Sequence, residues 1–123
     1  MMRIYLPWGP SVNDYYGRSK SGHVYLHARV KKFRLDVLRA VNEHEGSQVY
    51  NGQMGMLIEL FPPSKIKYDI DNRCKGILDA LEHAGVYPDD SMVMDMRVLK
   101  RDKVKFGQII VTITELTKLQ EVI

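Results

Sequence analysis

The sequence predicts an α+β fold in which two helices pack on a mixed β-sheet, in a single domain covering residues 1–123. Two stretches repeat apolar residues at three- and four-residue steps, the period of one helix face. Four other stretches are alternating or β-branched, as strands are. The elements follow the order strand, long loop, helix, strand, helix, strand, strand, and a terminal hairpin after the second helix favours the α+β class.

The chain opens with a short strand and a long loop. Residues 3–6 alternate polar and apolar side chains and predict the first strand. Residues 7–26 are rich in Gly, Pro, Ser and Asn, which predicts a loop with room for a short strand at 23–26. Two roles stay open for its side chains. Aromatic and basic side chains together could bind nucleic acid, or the aromatic side chains could pack the loop against the core. These side chains are Trp8, Tyr15, Tyr16, Arg18 and Lys20.

A first helix is predicted from residue 28 to about 45, followed by a turn at 46–52 and a strand at 54–61. The apolar face of this helix consists of Val30, Phe33, Val37, Ala40 and Val41. Positive side chains crowd its first half, where they oppose the helix dipole, so either an external anion compensates them or they form a solvated face. These side chains are Arg29, Lys31, Lys32 and Arg34.

The second helix lies within residues 68–91 and begins beside two carboxylates, Asp69 and Asp71. Gly85 follows its last apolar position, as a C-cap glycine does, and Pro88 prevents its continuation. Lys75 lies one turn after Asp71 and within its reach. The apolar stripe that predicts this helix is Ile70, Cys74, Ile77, Leu78, Leu81 and Ala84.

Two strands are predicted after this helix, at 92–100 and 108–114, with a basic hairpin loop between them. The first has one apolar face made by Met92, Met94, Met96 and Val98. These methionines favour core or dimer filling over a cofactor site. The tail from residue 115 is expected to be a short helix or a frayed end.

The composition narrows the function classes. Net charge is +3 and the pI is about 9.0, at the edge of what marks nucleic-acid binders. A single cysteine, Cys74, excludes an internal disulfide. Common nucleophile motifs, phosphate-binding loops and dinucleotide fingerprints do not occur, and the histidine spacing does not form a zinc motif. With no signal peptide and no apolar run of membrane-spanning length, we expect a cytoplasmic protein.

An acidic cluster in a basic protein is the remaining chemical signal. Asp69 and Asp71 project to one side if the local backbone is extended, and a returning strand could bring Asp90 or Asp95 alongside. Clustered carboxylates need a counter-charge, and oxygen ligands favour Mg²⁺ or Mn²⁺, which can activate a phosphodiester for hydrolysis. Lys75 could then orient water or stabilise phosphate charge. The alternative is that these carboxylates only cap a helix.

Three segments in order carry a family resemblance: PSVNDYY at 10–16, DIDNRCKGILDAL at 69–81, and the PDD turn at 88–90 running into MVMDMRV. The chain resembles the RusA family of Holliday junction resolvases over nearly its whole length. The resemblance implies a small homodimeric endonuclease, often prophage-encoded, that resolves four-way DNA junctions by symmetric paired nicks in recombination and repair, with Mg²⁺ or Mn²⁺ and no nucleotide cofactor. It places the essential aspartates at Asp69, Asp71 and Asp90 and the essential lysine at Lys75. Asn72 and Asp79 also match, without so clear a role.

The sequence departs from the family pattern in two places. Gly9-Pro10 replaces a Pro-Pro pair, and an arginine-rich run before the first aspartate is reduced to Lys65 and Lys67. These departures bear on DNA affinity and leave the catalytic set intact. The predicted DNA contacts are Lys65, Lys67, Arg73, Lys100, Arg101, Lys103 and Lys105.

Two other functions compete with a junction resolvase. One is a non-catalytic DNA-binding dimer, which would gain nothing by placing carboxylates beside phosphate. The other is a metal-dependent phosphodiesterase acting on flaps or simple duplex. For a resolvase, we expect a two-fold dimer with part of its interface at 92–96, and each active site to belong to one subunit.

Overall fold

The structure is a computed structural model that describes residues 1–11, 16–44 and 49–116. Residues 12–15 of the first resemblance segment, 45–48 at the predicted end of the first helix and start of the next turn, and 117–123 of the tail lie outside the described residues. In chain order the elements are β1 (Met2–Leu6), β2 (Tyr16–Arg18), β3 (Val24–Leu26), α1 (Ala28–Glu43), β4 (Met54–Phe61), α2 (Asp71–His83), β5 (Val93–Lys100) and β6 (Gln108–Glu115).

Four strands form a mixed sheet in the order β1-β6-β4-β5, which confirms the predicted α+β class. β6 pairs antiparallel with both β1 and β4, whereas β4 and β5 are parallel. Parallel neighbours need a long crossover connection, and α2 provides it. The predicted hairpin of the last two strands is wrong, because β4 lies between β5 and β6. Residues 101–107 instead cross the end of β4, where the backbone N–H of Arg101 donates to Leu60 O at 2.7 Å.

The core lies between the two helices and one face of the sheet. β4 alternates buried and half-buried residues along its whole length, as a strand covered on one side does. Phe33 of α1 and Ile77 of α2 lie in the same buried cluster as Ile58 of β4. The predicted apolar faces of both helices are therefore the core faces. Cys74 is buried among them, and burial raises the pKa of its thiol, with Asp71 adding to the effect.

Within residues 16–26, β2 and β3 form a small antiparallel hairpin. β3 confirms the short strand predicted at 23–26, whereas β2 was not predicted. β2 has three residues, too few for a recognisable strand period. Trp8 is half-buried and contacts the ring of Tyr68 edge-on, with ring centroids 5.4 Å apart. Of the two roles left open for the loop aromatics, Trp8 therefore pins the chain to the core, while Tyr16 is 65% exposed.

A β-bulge interrupts the methionine alternation of β5. Val93 pairs with Met54 and Asp95 with Gly55, so Met94 has no aligned partner on β4. The extra residue shifts the side-chain parity, and Val93 and Val98 both pack against the core. The prediction of one continuous apolar face is therefore wrong. Met94 and Met96 are 57% and 41% exposed at the sheet edge.

Gly85 ends α2 with a φ of +82°, which confirms the predicted glycine cap. The chain then turns through Tyr87 into a short 3₁₀ turn at Asp90–Met92 and enters β5. Across residues 1–11, 16–44 and 49–116, neither helix has the length and apolar character needed to cross a membrane.

Candidate active site

Asp69 and Asp71 lie together at the start of α2, where the helix dipole stabilises negative charge. Asn72 connects them: its side-chain Nδ2 donates to Asp69 Oδ2 at 3.3 Å, and its backbone N–H donates to Asp71 Oδ1 at 3.1 Å. Both carboxylates are exposed, so they are available to a ligand. The structure thereby gives Asn72 a positioning role that the sequence did not supply.

Lys75 forms an ion pair with Asp79, one turn further along α2, although Asp71 also lies one turn away from it. Its Nζ lies 3.7 Å from Asp79 Oδ2. The Asp71 carboxylate instead accepts from the N–H of Asn72. Lys75 therefore lies on one helix face between two carboxylates, and its long, exposed ion pair leaves it able to turn toward an anion.

Asp90 lies at the other end of α2, beside Glu82. Its backbone N–H donates to Glu82 Oε1 at 3.0 Å. Carboxylate oxygens of Glu82, Asp89 and Asp90 all lie within 4.8 Å of one another, so this group could hold a cation. Sequence reasoning missed Glu82, although its position eleven residues after Asp71 returns it to the same helix face.

Tyr87 fixes the turn that carries these carboxylates. Its buried hydroxyl donates to the backbone carbonyl of Leu78 at 2.7 Å. Burial raises its pKa well above the ordinary value, and the negative charges of Asp90, Glu82 and Asp79 raise it further. At the tip of the turn, the backbone N–H of Ser91 donates to Asp89 Oδ1 and lowers the pKa of that carboxyl.

The two acidic groups are far apart within one chain. Asp71 and Glu82 are separated by about 16 Å along the helix axis at 1.5 Å per residue. A single Mg²⁺ binds oxygen at about 2.1 Å and cannot contact both groups. The structure therefore does not bring Asp90 to Asp69 and Asp71. Nor does Asp95 join them, since it pairs beside Gly55 on the sheet face opposite the core.

Tyr68, the residue before Asp69, is surrounded by aromatic and cationic groups. Lys100 at the end of β5 donates from Nζ to Tyr68 O at 2.7 Å and lies 4.4 Å from the ring centroid. The Arg73 guanidinium lies 4.8 Å from the Trp8 ring centroid and donates to the carbonyl of Gly9. Burial raises the pKa of Tyr68, and Arg73 partly opposes that shift. This packing fixes the backbone that presents Asp69.

The family model for endodeoxyribonuclease RusA matches residues 7–114. The chain belongs to the RusA family. It is 36% identical over 113 residues to the crossover junction endodeoxyribonuclease RusA of Escherichia coli O139:H28, across 92% of this chain and 93% of that protein. It is 37% identical over 116 residues to the crossover junction endodeoxyribonuclease of Enterobacteria phage 82, with the same two coverages. The resemblance inferred from the sequence is thus confirmed.

The seven residues predicted to contact DNA fall into two groups, according to whether their side chains bond to other protein groups. Arg73, Lys100 and Arg101 bond to protein groups, the last through a 3.0 Å ion pair with Glu59. Lys100 and Arg101 are exposed, but these contacts hold their side chains. The second group is exposed throughout and consists of Lys65, Lys67, Lys103 and Lys105. The first group can position the site, whereas the second can reach a ligand from the surface.

Two depressions meet at Tyr68. One of about 380 Å³ contains Asp69 and Asn72, with Lys67 at its edge. The other, of about 550 Å³, lies between residues 62–66 and the end of β5 and includes Lys65 and Lys103. A concave, basic surface therefore leads directly to Asp69.

Proposed function

We propose that the protein is an endodeoxyribonuclease that cleaves four-way DNA junctions. The observation that carries the proposal is the identity of about one third to crossover junction endodeoxyribonucleases across 92% of the chain. The geometry supports it, because exposed carboxylates adjoin a basic depression in a protein of net charge +3. Basic flanks can hold a polyanion against an acidic centre that would otherwise repel it.

The donor set fits a hard divalent cation such as Mg²⁺ or Mn²⁺. Asp69 and Asp71 supply exposed carboxylate oxygens at one end of α2, and Asp90 supplies another at the far end, with Glu82 and Asp89 beside it. When bound, the cation would polarise the phosphodiester and lower the pKa of a water molecule. Asn72 orients the first two carboxylates, and Lys75 would stabilise charge on the phosphate oxygens.

The separation of about 16 Å between the acidic groups favours a site completed by two copies of the chain. In a two-fold dimer with antiparallel α2 helices, the start of one helix lies beside the end of the other. Asp69 and Asp71 of one subunit would then face Asp90 of its partner. The exposed Met94 and Met96 provide apolar surface for such a contact. This proposal replaces the expectation that each site belongs to one subunit.

A substrate comparison tests the activity. Purified protein with Mg²⁺ is offered a four-way junction and a linear duplex of equal length, with and without excess chelator. We expect paired nicks in the junction, an intact duplex, and loss of cleavage but not of binding with chelator. Binding without cleavage would support the non-catalytic binder. Equal cleavage of the duplex would support the general phosphodiesterase.

A mixed-dimer experiment tests the shared site. Asp71→Asn and Asp90→Asn chains are each inactive alone and are then mixed. If the site is shared, random pairing of equal amounts makes about a quarter of all sites intact, because half of the dimers are mixed and one of the two sites in each is complete. These dimers should nick one strand of a junction. A mixture that stays inert would show that each site lies within one chain.

A further inference from the structure

The basic first half of α1 is divided between two sides of the helix. Arg29 and Lys32, three positions apart, line a depression of about 380 Å³ opposite residues 7–11. Lys31 and Arg34 turn to the other side and border a separate, mostly apolar depression. The first turn of α1 contains no acidic residue to offset the helix dipole. Because the basic surface on one side of α1 is concave, it favours the binding of an external anion over the alternative of a solvated face.

The walls of this depression are fixed by packing. Gly9 passes so close to Phe33 of α1 that an added Cβ would lie 2.8 Å from the ring. Trp8 is held by Arg73, whose guanidinium covers its ring and bonds the carbonyl of Gly9. The opening between α1 and residues 7–11 is therefore formed in advance of any ligand, and a ligand loses little free energy in ordering it.

The depression continues into the one that contains Asp69. Ser11 and Arg73 line both, and Tyr68 joins the Asp69 depression to the one beside Lys103. The three depressions form a single surface, here called the groove, which runs from α1 past Asp69 to the 101–107 connection. A groove that extends through several depressions on both sides of a carboxylate matches an extended polyanion better than a small free anion.

The charge at the α1 end of the groove suits phosphate. Among the described residues that line it, Arg29, Lys32 and Arg73 are positive and Asp36 is negative, which gives these four side chains a net charge of +2. Lys32 Nζ lies 2.8 Å from Asp36 Oδ2, and the lysine side chain is 77% exposed. Exposed ion pairs of this kind are weak, so a phosphate can compete for Lys32.

We propose that the α1 end of the groove binds a backbone phosphate of the DNA on the far side of the scissile phosphate from Lys103. Arg29 and Lys32 are the contacts, and Asp36 restrains Lys32 when DNA is not bound. This inference rests on the proposed junction cleavage and adds a binding position to it. It assigns the two sides of α1 different roles, with Lys31 excluded from the DNA path.

The test measures junction affinity in chelator over a range of salt concentrations. Arg29→Ala and Lys32→Ala should each lower the magnitude of the slope of log affinity against log salt by about one unit, and the double variant by about two. Lys31→Ala removes the same charge from the neighbouring position and should leave the slope unchanged. Asp36→Asn should tighten binding roughly two- to fivefold by removing a negative charge that faces the DNA.

A second measurement locates the contact on the DNA. Single neutral methylphosphonates are placed at successive positions on either side of the cleavage site. At one of these positions, the methylphosphonate should weaken junction binding by the wild-type and Lys31→Ala proteins but not by the double variant. The inference would be overturned if Lys31→Ala and Lys32→Ala had equal salt slopes and no methylphosphonate position distinguished the wild-type protein from the double variant. If wild-type protein binds junctions in chelator and cleaves them in a parallel reaction with Mg²⁺, that result leaves the proposed function standing. Wild-type protein that neither binds junctions in chelator nor cleaves them with Mg²⁺ would overturn both.

Discussion

Lys100 offers the sharpest test of how the site is held together. It was predicted from the sequence as a DNA contact, yet its Nζ donates to Tyr68 O at 2.7 Å and lies over the Tyr68 ring. Lys100→Met keeps most of the side-chain length and removes both interactions. The backbone that precedes Asp69 would then lose its link to β5, while the exposed surface keeps nearly the same shape.

The size of the effect follows from these two contacts. A hydrogen bond from a charged donor contributes about 1.5–3 kcal/mol, and an exposed cation–π contact about 0.5–1 kcal/mol. Both lie at the surface, so solvent reduces them to roughly 1–2 kcal/mol together. If that free energy holds Asp69 in its reactive position, Lys100→Met should slow cleavage roughly 5- to 30-fold.

The assay separates the cleavage rate from DNA affinity. Single-turnover cleavage of a junction at saturating enzyme gives the rate, and titration in chelator at several salt concentrations gives the affinity and its salt slope. Lys103→Ala, in the neighbouring connection, is the matched control and should weaken affinity and lower the slope by about one unit. If Lys100→Met behaves like Lys103→Ala and cleaves at the wild-type rate, Lys100 is a phosphate contact and the positioning argument fails.

Three further predictions concern the carboxylates, the Tyr87 turn and the 101–107 connection. Asp69→Asn, Asp71→Asn and Asp90→Asn should each abolish junction cleavage and retain or tighten junction binding. Asp89→Asn should lower the cleavage rate much less. If Asp89→Asn abolishes cleavage and Asp90→Asn does not, the wrong carboxylate of the pair was chosen. Tyr87→Phe should cost about 1 kcal/mol of unfolding free energy at neutral pH, measured by denaturant titration. Because the raised Tyr87 pKa makes the unfolded chain deprotonate first, wild-type stability should fall above about pH 10 by up to 1.4 kcal/mol per pH unit, and Tyr87→Phe should reduce that slope. Gly107→Ala places a side chain at a φ of +72° with its Cβ 2.7 Å from Trp8 Cβ, so thermal unfolding should show a loss of more than about 1–2 kcal/mol, and an unchanged melting temperature would contradict the geometry.

Local patterns in the sequence predicted the helices well. The apolar period of α1 and α2, the Gly85 cap and the bounds of β4 all follow from short-range rules that the structure confirms. The placement of Asp69 and Asp71 at a helix start is equally local. These features depend on neighbours within one or two turns, which a single sequence contains.

The pairing of strands that are distant in the chain could not be predicted from local sequence patterns. Consecutive strands usually pair, but the 101–107 connection is long enough to pass one strand, since neighbouring strands are about 4.8 Å apart. The bulge at Met94 depends on the β4 partner and leaves no mark in the alternation. The same limit applies to the site. Spacing alone did not reveal that Glu82 accompanies Asp90, or that Lys100 bonds to the backbone before Asp69.

The strand order has a consequence for synthesis on the ribosome. β6 lies between β1 and β4, with Met2 aligned beside Ile113, so the middle of the sheet is filled by the strand that is translated last of the four. Until β6 has emerged, β1 and β4 cannot be joined through it, and the helices lack a continuous surface on which to pack. Loop closure over such a separation is slow, so the nascent chain should bring the carboxylates of α2 into their folded positions late and nearly all at once. A chain whose synthesis stops before β6 should therefore remain unfolded, and no partly formed carboxylate centre should contact DNA.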